Sequence, residues 1–227
     1  MRIKGIICLA VGAAAAFAAD TVTRGGDVAP GPNPEWNMAA GTRELRWDNG
    51  TRKYLVCWYT GKDSWAGNDF SEEPTGKSTT IIEIRVFSSN TWPNERWDGF
   101  RVGIFEFEAQ KPGKMLWPTG GTGYFFKPSG VNGEVWVDVP VNWVTSRTDF
   151  VAAMEQVYDQ PRCDPFAVDS NRNFLKHSWM YYAGRWTLLQ TMSDPYFNLM
   201  LRVVVGDRPY WPAVEPVSLG RVKALYR

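Results

Sequence analysis

Alternating apolar and polar residues recur along the chain and predict β-strands. The clearest example is Thr79–Ser88, where Ile82, Ile84 and Val86 fall on one face of an extended backbone. Leucine and valine alternate in the same way near the end of the chain, in Asn198–Val205. A period of two residues matches a strand with one face on a core, so both segments are predicted to be core strands.

Further strand-like runs are separated by turns that contain glycine, proline or asparagine. They are Glu44–Asp48, Lys53–Tyr59, Trp65–Phe70, Phe100–Phe107, Met115–Trp117, Thr122–Phe126, Glu134–Val139, Phe166–Asp169, His177–Ala183 and Trp186–Gln190. The dipeptide Asn49-Gly50 predicts a hairpin between the first two runs, and Ala183-Gly184-Arg185 predicts one between the last two. Asp149–Tyr158 contains good helix formers, but it is short and its neighbours are strands, so we expect a strand.

Many short strands without a long helix predict an all-β fold. Loops of varied length and the absence of an internal repeat favour a single antiparallel β-sandwich of the jelly-roll type over a propeller. We assign this domain to residues 43–205. Residues 19–42, with Pro30, Pro32 and Pro34, are predicted to be a linker or loosely held arm. Residues 206–227 are predicted to be a tail that ends in a short helix, with Ser218 as its cap.

The first 18 residues have the features of a secretory signal peptide. Arg2 and Lys4 precede an apolar run, and Ala16-Phe17-Ala18 predicts cleavage after Ala18. A membrane anchor is the alternative, but the run is shorter than the roughly 20 residues that span a bilayer. No later stretch is long and apolar enough to cross a membrane. We therefore expect a secreted protein, outside the cell or at its surface.

Charge and cysteine content further limit the partners and the metal sites that the protein can have. The chain has 25 basic and 24 acidic residues and no basic block, which argues against a nucleic-acid partner. After cleavage, Cys57 and Cys163 remain. In an exported protein they are candidates for a disulfide, which on the chain-entropy model would contribute roughly 4–5 kcal/mol by closing a long loop. Two buried, unpaired thiols are the alternative. Two cysteines and the single His177 match no zinc spacing.

No catalytic constellation is present in the sequence. His177 and Ser178 are adjacent, and adjacent side chains of a strand point to opposite faces, so a structural or surface histidine is favoured over a member of a triad. Acidic pairs such as Glu106 and Glu108 lie on predicted strands, where exposed carboxylates are common. These observations favour a protein that is not an enzyme, and a secreted hydrolase is the less favoured alternative.

Two oxygen-rich segments are candidate calcium sites. Asp169, Asn171 and Asn173 alternate as at the start of a calcium loop, and Asp63 and Asp69 belong to a second segment. Polar turns, in which such side chains bond to their own backbone, are the alternative interpretation. No cofactor is implied beyond a structural calcium ion.

Trp92 and Trp97 are the candidate ligand-binding aromatics. They flank Pro93–Arg96 in a predicted loop, where exposed rings would stack on sugar rings. Most of the 12 tryptophans are expected in the core, because aromatic burial dominates the packing of such sheets. Packing of Trp92 and Trp97 onto the domain is therefore the alternative.

The order of several motifs resembles a known kind of module. Trp47-Asp48-Asn49-Gly50, Ser178–Trp186 and Leu199–Val205 follow one another as in the jelly-roll, galactose-binding-like modules of secreted bacterial multidomain proteins. The resemblance covers Arg43–Val205. It implies a jelly-roll fold and, in some such modules, a structural calcium. Together these features predict an exported, non-catalytic protein for adhesion, assembly or binding, with a carbohydrate-binding module as the alternative. An extracellular glycan or another cell-surface protein would be its partner.

Overall fold

The computed structural model of the protein describes residues 21–28, 41–59, 63–71, 79–169, 176–189 and 198–206. These residues form an all-β fold, as predicted. Their strands are β1 (Thr21–Val28), β2 (Thr42–Leu45), β3 (Arg52–Trp58), β4 (Ser64–Ser71), β5 (Thr79–Ser89), β6 (Phe100–Glu108), β7 (Lys111–Trp117), β8 (Tyr124–Phe126), β9 (Glu134–Thr145), β10 (Asp149–Gln156), β11 (Phe166–Asp169), β12 (Ser178–Tyr182), β13 (Arg185–Leu188) and β14 (Leu201–Gly206).

Several expectations concern segments outside these ranges. The signal peptide at residues 1–18, the helical tail after Gly206, and the calcium candidates Asn171 and Asn173 all lie outside the described residues. Within the described ranges, the structure contains no helix with the length and apolar character to span a membrane.

The strands form three antiparallel sheets. The three-stranded sheet has the order β1-β3-β11, and the four-stranded sheet has the order β2-β14-β5-β9. The seven-stranded sheet has the order β13-β12-β4-β10-β6-β7, with β8 also paired to β6. The first two sheets meet just before β14, where Met200 N donates to Ala167 O at 2.9 Å. The residues before β14 therefore pair with β11, and β14 itself pairs with β2 and β5.

One local prediction about connectivity is wrong. Asn49-Gly50 does not close a hairpin, because β2 pairs with β14 whereas β3 pairs with β1 and β11. Long-range bonds hold this turn instead. Asn49 N donates to Asp169 Oδ2 at 2.7 Å, and the neighbouring Asp48 accepts two bonds from Arg202 at 2.6 and 2.9 Å. With the turn held by these contacts, the flanking strands β2 and β3 belong to different sheets.

The predicted N-terminal arm also contains a strand. Residues 21–28 form β1, which pairs with β3 from Thr21↔Trp58 to Val28↔Arg52. A run with two adjacent glycines, Gly25 and Gly26, has low strand propensity, and pairing with an existing strand edge overrides it. The irregularity in the register falls at these glycines, between Gly25 and Val28.

Side chains from all three sheets fill the main hydrophobic cluster. Leu199, Leu201, Val203 and Val205 are all buried in it, as their alternation predicts. In β5 the register shifts between Ile81 and Glu83, so Ile81 rather than the predicted Ile82 joins this cluster. The remaining members include Trp58, Ala66, Phe70, Ile84, Val86, Trp97, Phe100, Val102, Ile104, Val137, Val139, Phe150, Ala152, Met154, Phe166 and Met180.

A buried polar clamp joins the seven-stranded sheet to the segment that leads into β14. Asn68 Nδ2 donates to Leu199 O at 3.0 Å and to Leu201 O at 2.9 Å. Ser178 Oγ donates to Asn68 Oδ1 at 2.8 Å and accepts from Leu199 N at 3.0 Å. Buried polar groups are costly unless they are paired, so these bonds fix where the two layers meet.

Candidate ligand-binding face

The side of the seven-stranded sheet opposite the main cluster carries a second layer of aromatic side chains. Successive side chains of a strand alternate between faces, so Ala66 and Phe70 point to the main cluster while Trp65 points away. We call this outer side the aromatic face. Its members are Trp65, Phe105, Phe107, Met115, Trp179, Tyr181 and Trp186.

Small residues form the floor of the aromatic face. Gly67, Ala153 and Gly103 are paired in turn across β4, β10 and β6. Gly67 is also paired with Trp179 of β12. A Cβ on Gly67 would lie 2.5 Å from Ala152 O and 2.6 Å from Ala153 Cβ. A Cβ on Gly103 would lie 3.2 Å from Trp65 Cζ3, so the indole packs directly over the backbone there. Because Gly67 and Gly103 have no side chains, the aromatic rings can lie close to the sheet.

The aromatic rings pack mainly edge to face. Trp65 and Phe105 have centroids 5.0 Å apart at 79°, and Phe105 and Trp186 are 5.2 Å apart at 77°. Tyr181 lies 5.4 Å from Trp186. Such pairs stabilise by about 0.5–1.5 kcal/mol beyond the area they bury. Trp65, Phe105 and Trp179 are buried, whereas Phe107, Tyr181 and Trp186 are partly exposed. The buried rings therefore support an outer set that solvent reaches.

An ion pair lies beside the aromatic rings. Glu155 is paired across the sheet with both Trp65 and Arg101. Both of its carboxylate oxygens accept from Arg101 Nη1, at 3.1 and 3.2 Å. Burial raises the pKa of Glu155, Arg101 opposes that shift, and the nearby carboxylate of Asp63 adds to it. The side chain of Arg101 is 28% exposed and can donate to a ligand, whereas Glu155 is buried and is separated from the partly exposed Tyr181 by Trp65.

His177 is fixed at the far end of β4. Its Nδ1 bonds to Asp69 Oδ1, and its ring stacks on Trp47 with centroids 3.9 Å apart. Trp179 Nε1 donates to the other oxygen, Asp69 Oδ2, at 2.8 Å. The neighbouring Ser178 is buried in the clamp described above, facing away from the histidine. These contacts make His177 a packed structural residue, as the sequence suggested.

Asp63 and Asp69, the calcium candidates of the second segment, lie far apart, and a calcium site in that segment stays a prediction. The two residues flank most of β4, and six residues of strand span roughly 20 Å. Asp69 is also fully engaged by the nitrogen donors of His177 and Trp179. Within the part of the chain that the structure describes, no three His, Cys, Asp or Glu residues converge to hold a metal ion.

Asp169 braces two chain segments. Its Oδ2 accepts from Asn49 N at 2.7 Å, and its Oδ1 accepts from Asn198 N and Nδ2 at 3.1 and 3.2 Å. The side chain is fully buried, and nitrogen donors occupy both oxygens. A calcium site that combines Asp169 with Asn171 and Asn173 stays a prediction, because the two asparagines lie outside the described residues.

Trp92 and Trp97 belong to different hydrophobic clusters. Trp97 is 7% exposed, lies in the main cluster and donates from Nε1 to Val131 O at 2.8 Å. Trp92 is half-buried against a smaller cluster that includes Phe87 and Met200. Each ring therefore packs onto the domain, which corresponds to the alternative interpretation of their loop.

Cys57 and Cys163 are free, buried thiols in the structure, and no sulfur pair stands at bonding distance. Cys57 lies in β3, and Cys163 lies in the loop after β10, which bonds to the end of β3 through Gln160 N and Tyr59 O at 3.1 Å. A contact with the Cys57 thiol, together with burial, raises the pKa of Cys163. The structure thus corresponds to the alternative of two unpaired thiols, and the disulfide stays a prediction.

In comparisons with family models, curated proteins and solved structures, no match to this chain was found. The aromatic face therefore has to be interpreted from its own geometry. Residues such as Trp65, Tyr181 and Trp186 were assigned to strands, but the sequence did not mark their outward side as a site. The available signal was the alternation of these rings with core residues in the same strands.

Proposed function

We propose that the chain is an exported, non-catalytic β-sandwich protein that binds an extracellular glycan through the aromatic face. The sandwich would be of the jelly-roll, galactose-binding-like kind, with the seven-stranded sheet as one layer. Shared burial of side chains from all three sheets in one cluster supports this architecture. Binding at the cell surface or outside the cell would give the protein a role in adhesion.

The single observation that carries the proposal is the partly exposed outer set of rings on a rigid support. The C–H faces of a pyranose are apolar and stack on Trp and Tyr, which combine a large apolar surface with a polar atom. Trp186 and Tyr181 provide such surfaces, and both rings are held by aromatic neighbours. Rings fixed before binding lose little entropy when a ligand arrives.

The ion pair of Glu155 and Arg101 would supply specificity. Binding sites combine apolar surface with a few polar groups that set the ligand's orientation. Sugar hydroxyl groups accept hydrogen bonds, so they suit the guanidinium of Arg101, whose side chain is 28% exposed. Glu155 lies buried, and both of its oxygens accept from Arg101 Nη1, which supports a binding role over hydrolysis. A hydrolase at this ion pair is the alternative that the experiment must separate.

The test is a binding screen of the mature chain against a glycan array, followed by affinity electrophoresis in the polysaccharides that score. Trp186→Ala and Tyr181→Ala should each weaken binding at least tenfold while the melting temperature stays within a few degrees. Tyr59→Ala is the matched control, because Tyr59 is 53% exposed at the end of β3 and belongs to another surface. This control variant should bind as the parent does.

Two outcomes would refute the proposal. Binding that is equally strong in the Trp186 and Tyr181 variants would exclude the aromatic face as the site. Release of reducing sugar that is lost in Glu155→Gln would replace the binding role with hydrolysis. A screen without any glycan ligand would also count against it, provided that the chain is folded in the same buffer.

A further inference from the structure

The N-terminal strand β1 is attached to the domain through one neighbour. It pairs with β3, and no other described strand is hydrogen-bonded to it. The pairing is continuous from Thr21↔Trp58 to Gly25↔Tyr54 and resumes at Val28↔Arg52. The other edge of β3 is taken by β11. β1 is therefore an edge strand that fills a single position beside β3.

That position has to be filled for the fold to be complete. Leu55, Cys57 and Trp58 of β3 are fully buried, and each is paired with a residue of β1. Without β1, the backbone groups on this edge of β3 would lose their partners, and an open strand edge readily pairs with another chain. The fold thus requires a strand beside β3, but the hydrogen bonds of the ladder do not depend on which copy supplies it.

The connection from β1 to β2 is long enough to let the strand leave. The thirteen residues 29–41 separate Val28 from Thr42, and a chain of that length reaches up to roughly 45 Å. Pro30, Pro32 and Pro34 favour an extended backbone over a compact one. A strand on such a connection can reach the β3 edge of a neighbouring molecule.

We propose that the protein assembles with a second copy of itself by exchanging β1 between their β3 edges. Each copy then keeps a complete three-stranded sheet, with the strand taken from its partner. A reciprocal exchange closes as a two-fold dimer, and a one-way exchange continues as a chain of copies. Exchange competes with the chain's own strand, whose effective concentration is in the millimolar range. Assembly is therefore expected at high local concentration.

The test uses two full-length mature copies with tags of different size, both carrying Cys163→Ser to remove the thiol beside Cys57. One copy carries Val22→Cys with Cys57→Ser, and the other keeps Val22 and Cys57. Val22 and Cys57 are direct partners in the antiparallel ladder, and the Cα atoms of such partners lie about 4.5–5.5 Å apart, within the range that a disulfide spans. The thiol introduced at position 22 can meet Cys57 only when β1 has crossed to the other copy.

The copies are mixed at about 1 mM, unfolded in urea and refolded together with glutathione disulfide as the oxidant. The two protein thiols are oxidised to one disulfide, and the glutathione disulfide is reduced to two glutathione thiols. The expected product is a band of both tags on a non-reducing gel, which reductant separates. Refolding at a hundredfold lower concentration should reduce that band several-fold. Thr23→Cys in place of Val22→Cys is the matched control and should give little product, because residue 23 is paired with Val56 and not with Cys57.

A single copy that carries both Val22→Cys and Cys57 shows whether the bridge can form. If that copy closes its own bridge as a monomer while the mixture gives no mixed band, β1 stays in its own chain and the proposal is overturned. If the single copy cannot close its own bridge either, light scattering of the unmodified mature chain, refolded at the same concentrations, decides whether β1 is exchanged. A monomer at every concentration overturns the proposal, and a dimer or longer assembly at high concentration supports it.

Discussion

The sharpest quantitative prediction concerns Asp164, a carboxyl group buried between two loops. Its side chain accepts from Asp98 N at 3.1 Å and from Gly99 N at 2.7 Å, and the residue is 2% exposed. Burial raises the pKa of Asp164 from 3.8 to about 6, although the two backbone bonds oppose the shift. The folded protein therefore holds this proton over a range in which the unfolded chain releases it.

The sign of the effect follows from proton linkage. Between pH 3.8 and about 6 the folded state binds more protons at Asp164 than the unfolded state does, so stability falls as pH rises. A pKa difference of about 2 units corresponds to roughly 3 kcal/mol, and most of it, about 2.5 kcal/mol, is lost between pH 4 and 7. Protonated Asp164 is the form that the fold prefers.

Substitution of Asp164 by asparagine isolates this contribution. Asparagine has the same shape and does not titrate, but its single amide oxygen replaces only one of two acceptors. At pH 4 the variant should be about 1–3 kcal/mol less stable than the parent, because one buried N–H loses its partner. By pH 7 the parent has lost its advantage, and the difference should approach zero or reverse.

The assay is urea unfolding of both proteins from pH 4 to 7, with the difference in unfolding free energy plotted against pH. Taking the difference cancels the other titrating groups. A difference that stays constant across this range would refute the reasoning. Asp138 offers an independent repeat, because burial and Glu83 raise its pKa to about 6 as well. For Asp138, the difference in unfolding free energy should change with pH in the same direction but less steeply, because the Asp138 side chain is 31% exposed.

Three further predictions concern packing, a buried ion pair and the thiols. Gly67→Ala should cost about 1–3 kcal/mol in chemical unfolding, because its Cβ would lie 2.5 Å from a backbone oxygen. Arg202→Met should cost about 3–5 kcal/mol, because it leaves the buried Asp48 without its partner at 2.6 Å. Cys57 and Cys163 should react with a thiol reagent only as fast as the protein unfolds, because both are buried and the pKa of Cys163 is raised.

The packing and ion-pair predictions each have a matched control. A Cβ at Gly113 would lie no closer than 3.2 Å to any atom, the nearest being Glu106 Cβ and Oε2, so Gly113→Ala should cost less than Gly67→Ala. Arg147→Ala removes pairs with Glu108 and Glu106, but the Arg147 side chain is 38% exposed and Glu106 keeps Lys114 at 3.2 Å, so stability should change by less than about 1 kcal/mol. An equal loss of stability in a variant and in its control would contradict the reasoning. Fast labelling of the folded protein would contradict the thiol prediction.

Local patterns in the sequence predict most of the strands. Alternation in β14 identifies the residues that join the main cluster, in β5 it does so for Ile84 and Val86, and Ala183-Gly184 closes the β12–β13 hairpin with positive φ angles of 51° and 82°. The hairpin prediction from a turn dipeptide fails at Asn49-Gly50. The partners of that turn are Asp169 and Arg202, more than a hundred residues away. A turn signal gives the local bend, whereas the choice of sheet depends on distant contacts.

The aromatic face could not be predicted for a related reason. A strand with apolar residues on both sides, such as β4 with Trp65 and Ala66, has the pattern of a strand that is buried on both faces. Strand order decides which side meets the main cluster, and strand order was not accessible from the sequence. Trp92 and Trp97 were preferred instead because they lie in a loop, where exposure is the usual expectation.

The position of β14 in the middle of its sheet has a consequence for how the protein is made. β14 ends at Gly206, late in the chain, yet it lies between β2 from the beginning and β5. A growing chain that has not reached residue 198 lacks the strand that joins these elements, and long-range pairing of this kind is slow. The main cluster therefore cannot close before synthesis has passed residue 206. Until then the chain has exposed strand edges and apolar surface, which are the features that make partly folded chains prone to aggregate.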